Sequence, residues 1–519
     1  MTSTLTQDIA IAEAESTRVG WRGWAALAVL MLPVLLVSVD NTVLSFALPQ
    51  IALDLEPTAT QQLWIIDSYP LVLASLLVTM GVLGDRFGRR RMLLLGAAGF
   101  GVVSALAAFA PSAEWLIAAR AGMGIFGAML MPATLSLLRS VFTNRDQRRL
   151  AIAIWAAGFS AGAALGPVVG GILLEHFAWG AVFLMAVPVL VPLLILVPIL
   201  VPESRDPAPG RFDPLSVVLS LATMVPIVYA IKEFAVHGAE SALPLVLVVM
   251  GLVFGVFFVR RQNRLETPML DMRLFRRAAF TGSVLVNLLS VVGLVGFLYF
   301  VAQHLQLVVG LPPLEAGLAL VPGLLAMIVA GIGVVPIAKR IAPRVIVPIA
   351  LSFSVLGYVL VGVAAGTGEL GLLILAFVSL GAGIGSAETV SNELILASAP
   401  PAKAGAASAV SETAYELGAV LGTTIIGGLL AAFYRSSLVL PAGLPAAAAN
   451  AARETLAGAV AASHTLDETM GQALRDAAAH AFDAGVGVTA LIGAGLIVIA
   501  AAIAALTLGG RAQHAPVEH

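Results

Sequence analysis

Gln62-Leu-Trp64-Ile-Ile-Asp67-Ser-Tyr69-Pro-Leu-Val-Leu-Ala-Ser-Leu-Leu-Val-Thr-Met-Gly81-Val-Leu-Gly84-Asp85-Arg86-Phe-Gly88-Arg89-Arg90-Arg91 decides the fold. The run is apolar over roughly 20 residues, enough to cross hydrocarbon, and it stops at a turn filled with arginine. In lipid such a run satisfies its backbone only as a helix. Gly84 and Gly88 allow a tight turn, and Asp85 can accept bonds from helix-end amides or a guanidinium. The stretch Gly81, Asp85, Arg86, Gly88, Arg89 and Arg90 therefore reads as a latch that closes one conformation on the cytoplasmic side. A plain cationic loop would explain the arginines but not the Gly and Asp spacing.

Working outward, the same pattern repeats along the chain. With 59% hydrophobic and 11% charged residues, the 519-residue sequence cannot cover a water-soluble surface. Apolar runs fall at 25–49, 62–83, 91–110, 113–139, 149–174, 179–201, 214–234, 242–260, 279–301, 315–338, 345–366, 369–397, 404–433 and 486–508. This predicts an all-α integral membrane protein with fourteen transmembrane helices and cytoplasmic N- and C-termini. Alternating the loops puts nearly every Lys and Arg on one side; Arg435, Arg453 and Arg475, all in the long external loop 434–485, are the exceptions. A net charge of −2 gives no reason to expect nucleic acid. The absence of cysteine removes thiolate metal sites and cysteine nucleophiles. Since no phosphate loop, metal cluster or paired nucleophile and base stands out, no enzyme, metal or cofactor is expected.

The polar, Pro-rich segment 203–213 and the charged stretch Arg260 to Arg277 bracket two spans. The predicted organisation is a tail, 1–24; a six-helix half, 25–202; a linker with two inserted helices, 203–278; a second six-helix half, 279–508; and a tail, 509–519. Gly331 to Arg344 echoes Gly81 to Arg91, each after the second helix of its set. Parallel halves related by an axis along the membrane normal are one way to build an alternating-access carrier.

The loop Gly81 to Arg91 resembles the signature loop of the major facilitator superfamily, and three further stretches narrow the match. Leu116-Ile-Ala-Ala-Arg120-Ala-Gly122-Met-Gly124-Ile-Phe-Gly127 is similar to its arginine-bearing fourth-helix motif. Gly162-Ala-Ala-Leu-Gly166-Pro167-Val-Val-Gly170-Gly171 resembles the drug/proton antiporter motif, and Asp40-Asn-Thr-Val-Leu-Ser-Phe-Ala-Leu-Pro49 the first-helix motif of the fourteen-span, QacA-like multidrug efflux branch. The resemblance covers essentially the whole chain. It implies proton-coupled export of lipophilic, cationic organic compounds from a bacterial cell membrane, with Arg120 acting in proton transfer beside Asp40. It implies that the inserted pair marks the branch, and that the Gly162 face and Pro167 take part in gating. Gly122-x-Gly124-x-x-Gly127 is no dinucleotide fingerprint, because no strand precedes it.

The residues support this independently. Asp40 lies 16 residues beyond Trp24, about 24 Å along the first span, and Asp67 sits at a similar depth, so the pair is expected to share a wet outer vestibule. Arg120, inside a span, needs a carboxylate, carbonyl or water; a purely structural bond to carbonyls is the alternative. Glu412 and Glu416 are four apart on one helix face, where like charges do not both stay ionised in a membrane. Asp40, Asp67, Glu388, Glu412 and Glu416 are thus the candidates for proton coupling and cation binding, with Glu393 placed at the solvated end. Gly162, Gly166 and Gly170 form a smooth face for close helix approach, beside the bend at Pro167. Trp64, Tyr69, Phe297, Tyr299 and Tyr415 could offer aromatic faces to a cation, though aromatics near span ends also serve the interfacial belt. His304, Gln303 and Gln306 read as an outer polar rim, and the loop 434–485 as external helices. Small organic cations, protons and membrane lipids are the expected partners of a monomer whose only energy source is the proton gradient. An exporter of a neutral or anionic antibiotic, lipid or siderophore, or a non-transporting receptor or scaffold, would share the same span pattern.

Overall fold

The computed structural model describes residues 19–142, 144–205, 213–237, 242–265, 268, 270–398 and 404–509; most of the two expected tails lies outside them. Among the described residues there is no strand, and the chain is a bundle of long helices. They are α1 (Trp21–Leu55), α2 (Ala59–Phe87), α3 (Arg89–Ala107), α4 (Ala113–Val141), α5 (Arg145–His176), α6 (Ala181–Leu200), α7 (Pro214–His237), α8 (Leu243–Gln262) and α9 (Ala278–Val308). After these come α10 (Pro313–Ala338), α11 (Pro343–Thr367), α12 (Leu370–Ala397), α13 (Ala404–Gly422, then Thr423–Gly427 as a π turn, then Gly428–Ser437) and α14 (Glu468–Thr507). Thirteen of them are long and apolar enough to cross a membrane, and the predicted fifth span falls on α5.

Local chemistry sets the ends. Thr58 and Gln61 form a reciprocal capping box at the start of α2, each side chain accepting the other's backbone N–H (3.2 and 2.9 Å). Asp467 caps α14 through the Met470 N–H, so this helix begins well before the expected 486. The external loop is correspondingly shorter and carries two short helices, Ala446–Glu454 and Leu456–Ser463.

The packing repeats itself. In the first six helices the main contacts are α1 with α5 and α6, α2 with α4, and α3 with α4 and α6. In the last six the equivalents recur: α9 with α13 and α14, α10 with α12, and α11 with α12 and α14. The halves meet reciprocally, α5 on α10 and α2 on α13. Glycines make the intra-half contacts close. A Cβ at Gly162 would sit 3.0 Å from the Leu35 carbonyl oxygen of α1, and one at Gly418 would sit 2.7 Å from the Leu288 carbonyl oxygen of α9. The pair α7–α8 packs mainly on itself and touches the bundle through α2 and α13; only 17% and 11% of its apolar windows are buried.

The Arg86–Arg91 turn marks what we call the basic end of the bundle. Gly88 adopts φ 111°, where a side chain would be strained, and the Glu203 carboxyl fills the space beside it. Asp85 pairs with Arg89 (2.7 Å), the Arg90 N–H donates to Glu203 (3.0 Å), and the Arg89 N–H donates to the Ser204 carbonyl (3.0 Å). Arg86 lies over Phe87. These bonds run between the α2–α3 turn and the segment that follows α6. The acid that answers the amides of the expected latch, Glu203, lies just beyond α6 at the start of the linker.

Candidate functional site: a carboxylate cavity beneath two buried ion pairs

Between the halves lies a cavity of about 260 Å³. Glu388 and Asn392 of α12 and Glu412, Tyr415 and Glu416 of α13 line one side, and Trp155 of α5 stands among the lining residues of the first half. It extends toward the basic end as far as Leu396, which is exposed. Toward the far end the halves close on each other. Asn41 donates to Glu416 (3.3 Å), Gln306 donates to the Phe46 carbonyl (3.1 Å), and Thr424 donates to Asp67 (3.0 Å). Gly171 abuts Pro313 and Leu314, and Gly317 abuts the Pro167 carbonyl.

Glu388, Glu412 and Glu416 form no ion pair among the described residues. Among the described residues, Glu388 Oε1 and Glu416 Oε2 are buried atoms without a hydrogen-bond partner. Beside them, Asn287 donates to Asn392 (3.1 Å) and Ser411 (3.2 Å), a neutral polar cluster across α9, α12 and α13. Carboxyls gathered in a cavity within the spans with no protein cation beside them are a receptor for protons or for a cationic guest. Glu393, by contrast, is exposed near the basic end.

A smaller chamber, about 30 Å³, sits beyond and shares Ala163, Leu294, Met327 and Tyr415 with the main cavity. Asp67 and Arg120 are among its lining residues, and each is already paired, Arg120 with Asp40. Arg120 of α4 reaches Asp40 at 2.6 Å, donates through Nε to the Ile65 carbonyl (3.2 Å), and lies 4.5 Å over the Tyr69 ring. Lys232 of α7 reaches Asp67 at 2.8 Å, donates to the Leu63 carbonyl (3.1 Å), and lies 3.8 Å over the Trp64 ring. Side-chain exposure is 1% for each of the two cations, 5% for Asp40 and 0% for Asp67. The expected wet vestibule shared by Asp40 and Asp67 is not found. Each acid is sealed by its own cation, because two helices deliver a long basic side chain to that depth.

Of the predicted aromatic faces, Tyr415 alone lines the main cavity. Tyr69 and Trp64 serve the two cations, Phe297 stacks on Phe377 in the core, and Tyr299 is buried beside Gln303. The Gly162, Gly166 and Gly170 face packs on α1 as a close-approach surface, while Pro167 and Gly171 reach α10 of the other half. In the expected polar rim, the His304 ring lies 2.9 Å from Asp483, and Gln306 bridges the halves. Sequence reasoning missed Lys232, Trp155 and the Asn287–Asn392–Ser411 cluster. Lys232 gave the same signal as Arg120, a cation inside an apolar span.

Two six-helix repeats closed at one end around a polar cavity define a polytopic membrane carrier that works by movement rather than by bond chemistry. The chain belongs to the Major Facilitator Superfamily, whose sequence model matches residues 30–423. It is 57% identical to the "Multidrug efflux pump LfrA" of Mycolicibacterium smegmatis, over 94% of this chain and 97% of that protein. It is 38% identical to the "Methyl viologen resistance protein SmvA" of Salmonella typhimurium, over 89% and 93%. It is 31% identical to the "Tetracenomycin C resistance and export protein" of Streptomyces glaucescens, over 97% and 96%. Among solved structures, the fold is similar to a bacterial homolog of the lysosomal transporter Spinster in an inward-facing conformation (TM-score 0.66, 18% identity, 94% of this chain and 98% of that one). It is also similar to a D-xylose–proton symporter (TM-score 0.61, 13% identity, 94% and 98%).

Proposed function

We propose that this transporter is a proton-coupled efflux antiporter that exports lipophilic organic cations across a bacterial cell membrane. The observation that carries the reading is the trio Glu388, Glu412 and Glu416, which lines the central cavity, Glu416 buried and the other two half-buried, with no ion pair to a protein cation among the described residues. Trp155 and Tyr415 supply aromatic faces for the guest, an interaction of about 0.5–2 kcal/mol. The bias of Lys and Arg sets the basic end in the cytoplasm, with α5 as the fourteenth span and both termini inside. The cavity then opens inward and loads cargo from the cytoplasm. After the far end opens, protons from outside occupy the carboxyls and displace the cation. A proton returning inward across 100 mV releases about 2.3 kcal/mol to drive the cycle. The relatives' names support export of several compounds, a viologen dication among the resistances they record.

The test is reconstitution in liposomes with an imposed pH gradient, following ethidium and methyl viologen. Cation movement opposite to the proton flux, abolished by an uncoupler and by Glu412→Gln with Glu416→Gln, is the expected result. Undiminished gradient-driven transport in the double variant refutes the role of this pair. Transport of neutral compounds alone would shift the reading to an exporter of uncharged cargo.

A further inference from the structure

The inserted pair α7–α8 is the least buried part of the bundle, yet it sends one side chain into the most closed part. The Lys232 ammonium spends its donors on the Asp67 carboxylate (2.8 Å) and the Leu63 carbonyl (3.1 Å) and faces the Trp64 ring (3.8 Å). The same Asp67 Oδ2 accepts from Thr424 (3.0 Å), whose π turn belongs to α13 of the other half. One oxygen thus joins three elements: the first half, the second half and the insert. π turns within α-helices are often found at working sites, and this one brings Thr424 to the seam. Among the described residues Asp67 Oδ1 has no hydrogen-bond partner, and Lys232 is the cation that balances the carboxylate.

We infer that Lys232 is a positioning residue for transport: by neutralising Asp67 it permits α2 and α13 to stay closed at the far end. The physical reason is solvation. A buried carboxylate without a counter-ion gains most by reaching water, and at Asp67 the route to water is separation of α2 from α13. With Lys232 in place, that gain disappears, and the closed far end is the favoured arrangement. The inserted helices thereby take part in the cycle instead of decorating it. The inference rests on alternate opening of the two ends, as proposed above, but not on proton coupling or on the charge of the cargo.

The chain contains no cysteine, so a single introduced thiol is a clean reporter. Leu298→Cys places it in the small chamber, and Leu396→Cys places it at the basic-end mouth. Membrane-impermeant maleimide is applied to right-side-out and inside-out vesicles. In the otherwise native chain, Leu298→Cys is protected and Leu396→Cys reacts from the basic side. Adding Lys232→Met should raise far-side labelling of Leu298→Cys about tenfold and slow labelling of Leu396→Cys. Adding Asp67→Asn to that variant should restore protection, since neither charge is then left alone. Thr424→Val, which alters no charge, keeps the test open if the lysine variant fails to reach the membrane, and should open the chamber by a smaller factor. Unchanged labelling with Lys232→Met, or with Thr424→Val where that variant must stand in, overturns the proposal. If the labelling follows this pattern while the chain with Lys232 and Asp67 native moves no ethidium, the inference stands and the functional reading above falls.

Discussion

Arg120 touches a carboxylate, a carbonyl and an aromatic face at once, with Asp40 at 2.6 Å, the Ile65 carbonyl at 3.2 Å and the Tyr69 ring at 4.5 Å. Removing its charge strands Asp40 in the bundle, which costs about 3–5 kcal/mol. Arg120→Gln should therefore unfold at a markedly lower temperature in detergent, and Asp40→Asn added to it should recover most of the loss. Arg120→Lys keeps the charge but cannot span both acceptors, so it should fall between. A double variant no more stable than Arg120→Gln would show that the pair does not carry this energy. The Asp40–Arg120 pairing was legible in the sequence, since both residues lie inside spans at matching depth and each demands a partner. Lys232 demanded one equally, but α7 is apolar all round, so nothing local says which face turns inward. The aromatics failed for the same reason. Phe297 and Tyr299 lie on a helix buried on every side, and only packing decides which of its rings meets the cavity.

Helix α5 shows how a smooth face becomes a constraint. At Gly166 a Cβ would lie 2.9 Å from the Thr42 Cβ and 3.2 Å from the Val39 carbonyl, both on α1. Gly166→Val should cost about 1–3 kcal/mol by forcing α1 and α5 apart, readable as a lower unfolding temperature. On α11, Gly362 has nothing within 4 Å of its would-be Cβ. Gly362→Ala should be neutral or stabilise by up to about 1 kcal/mol. The inserted hairpin is fastened differently, by Arg261 gripping both oxygens of Asp213 at 2.8 Å. That guanidinium holds the Asp213 carboxyl down to about 2, against an ordinary 3.8. A depressed acid stabilises where it is ionised, so the clasp is complete above about 3.8 and is lost as the pH falls toward 2. Protease resistance of the α7–α8 hairpin should be flat from pH 5 to pH 8 (~5–8), whereas Asp213→Asn should lower it throughout that range. Helix ends were harder to read than helix identity. The Asp467 cap is visible in the sequence, but the polar first turns of α14 resemble a loop until they pack on Leu456–Ser463.

The repeated packing of the two halves separates two kinds of close contact that look alike in sequence. Gly166 and Gly171 belong to one glycine-rich stretch, yet Gly166 faces α1 within its own half and Gly171 faces Pro313 and Leu314 of α10 across the seam. A bulky residue within a half opposes folding in every conformation. One across the seam opposes only the conformation in which the far end is closed. Gly171→Trp cannot occupy the present arrangement, since its Cβ alone would stand 2.7 Å from the Leu314 Cα and 2.8 Å from the Pro313 carbonyl. It can fit once α5 and α10 part. The variant should therefore unfold within a few degrees of the native chain but stay open at the far end. Labelling of a Leu298→Cys reporter from that side should be fast, and ethidium efflux from cells should fall to background. If instead Gly171→Trp loses stability as Gly166→Val does, the α5–α10 seam is part of the fixed core and the moving boundary lies elsewhere. If it folds, labels slowly and still transports, the far end does not open along this seam. The sequence marked both glycines as one motif; which serves folding and which serves movement is set by the partner helix each one meets.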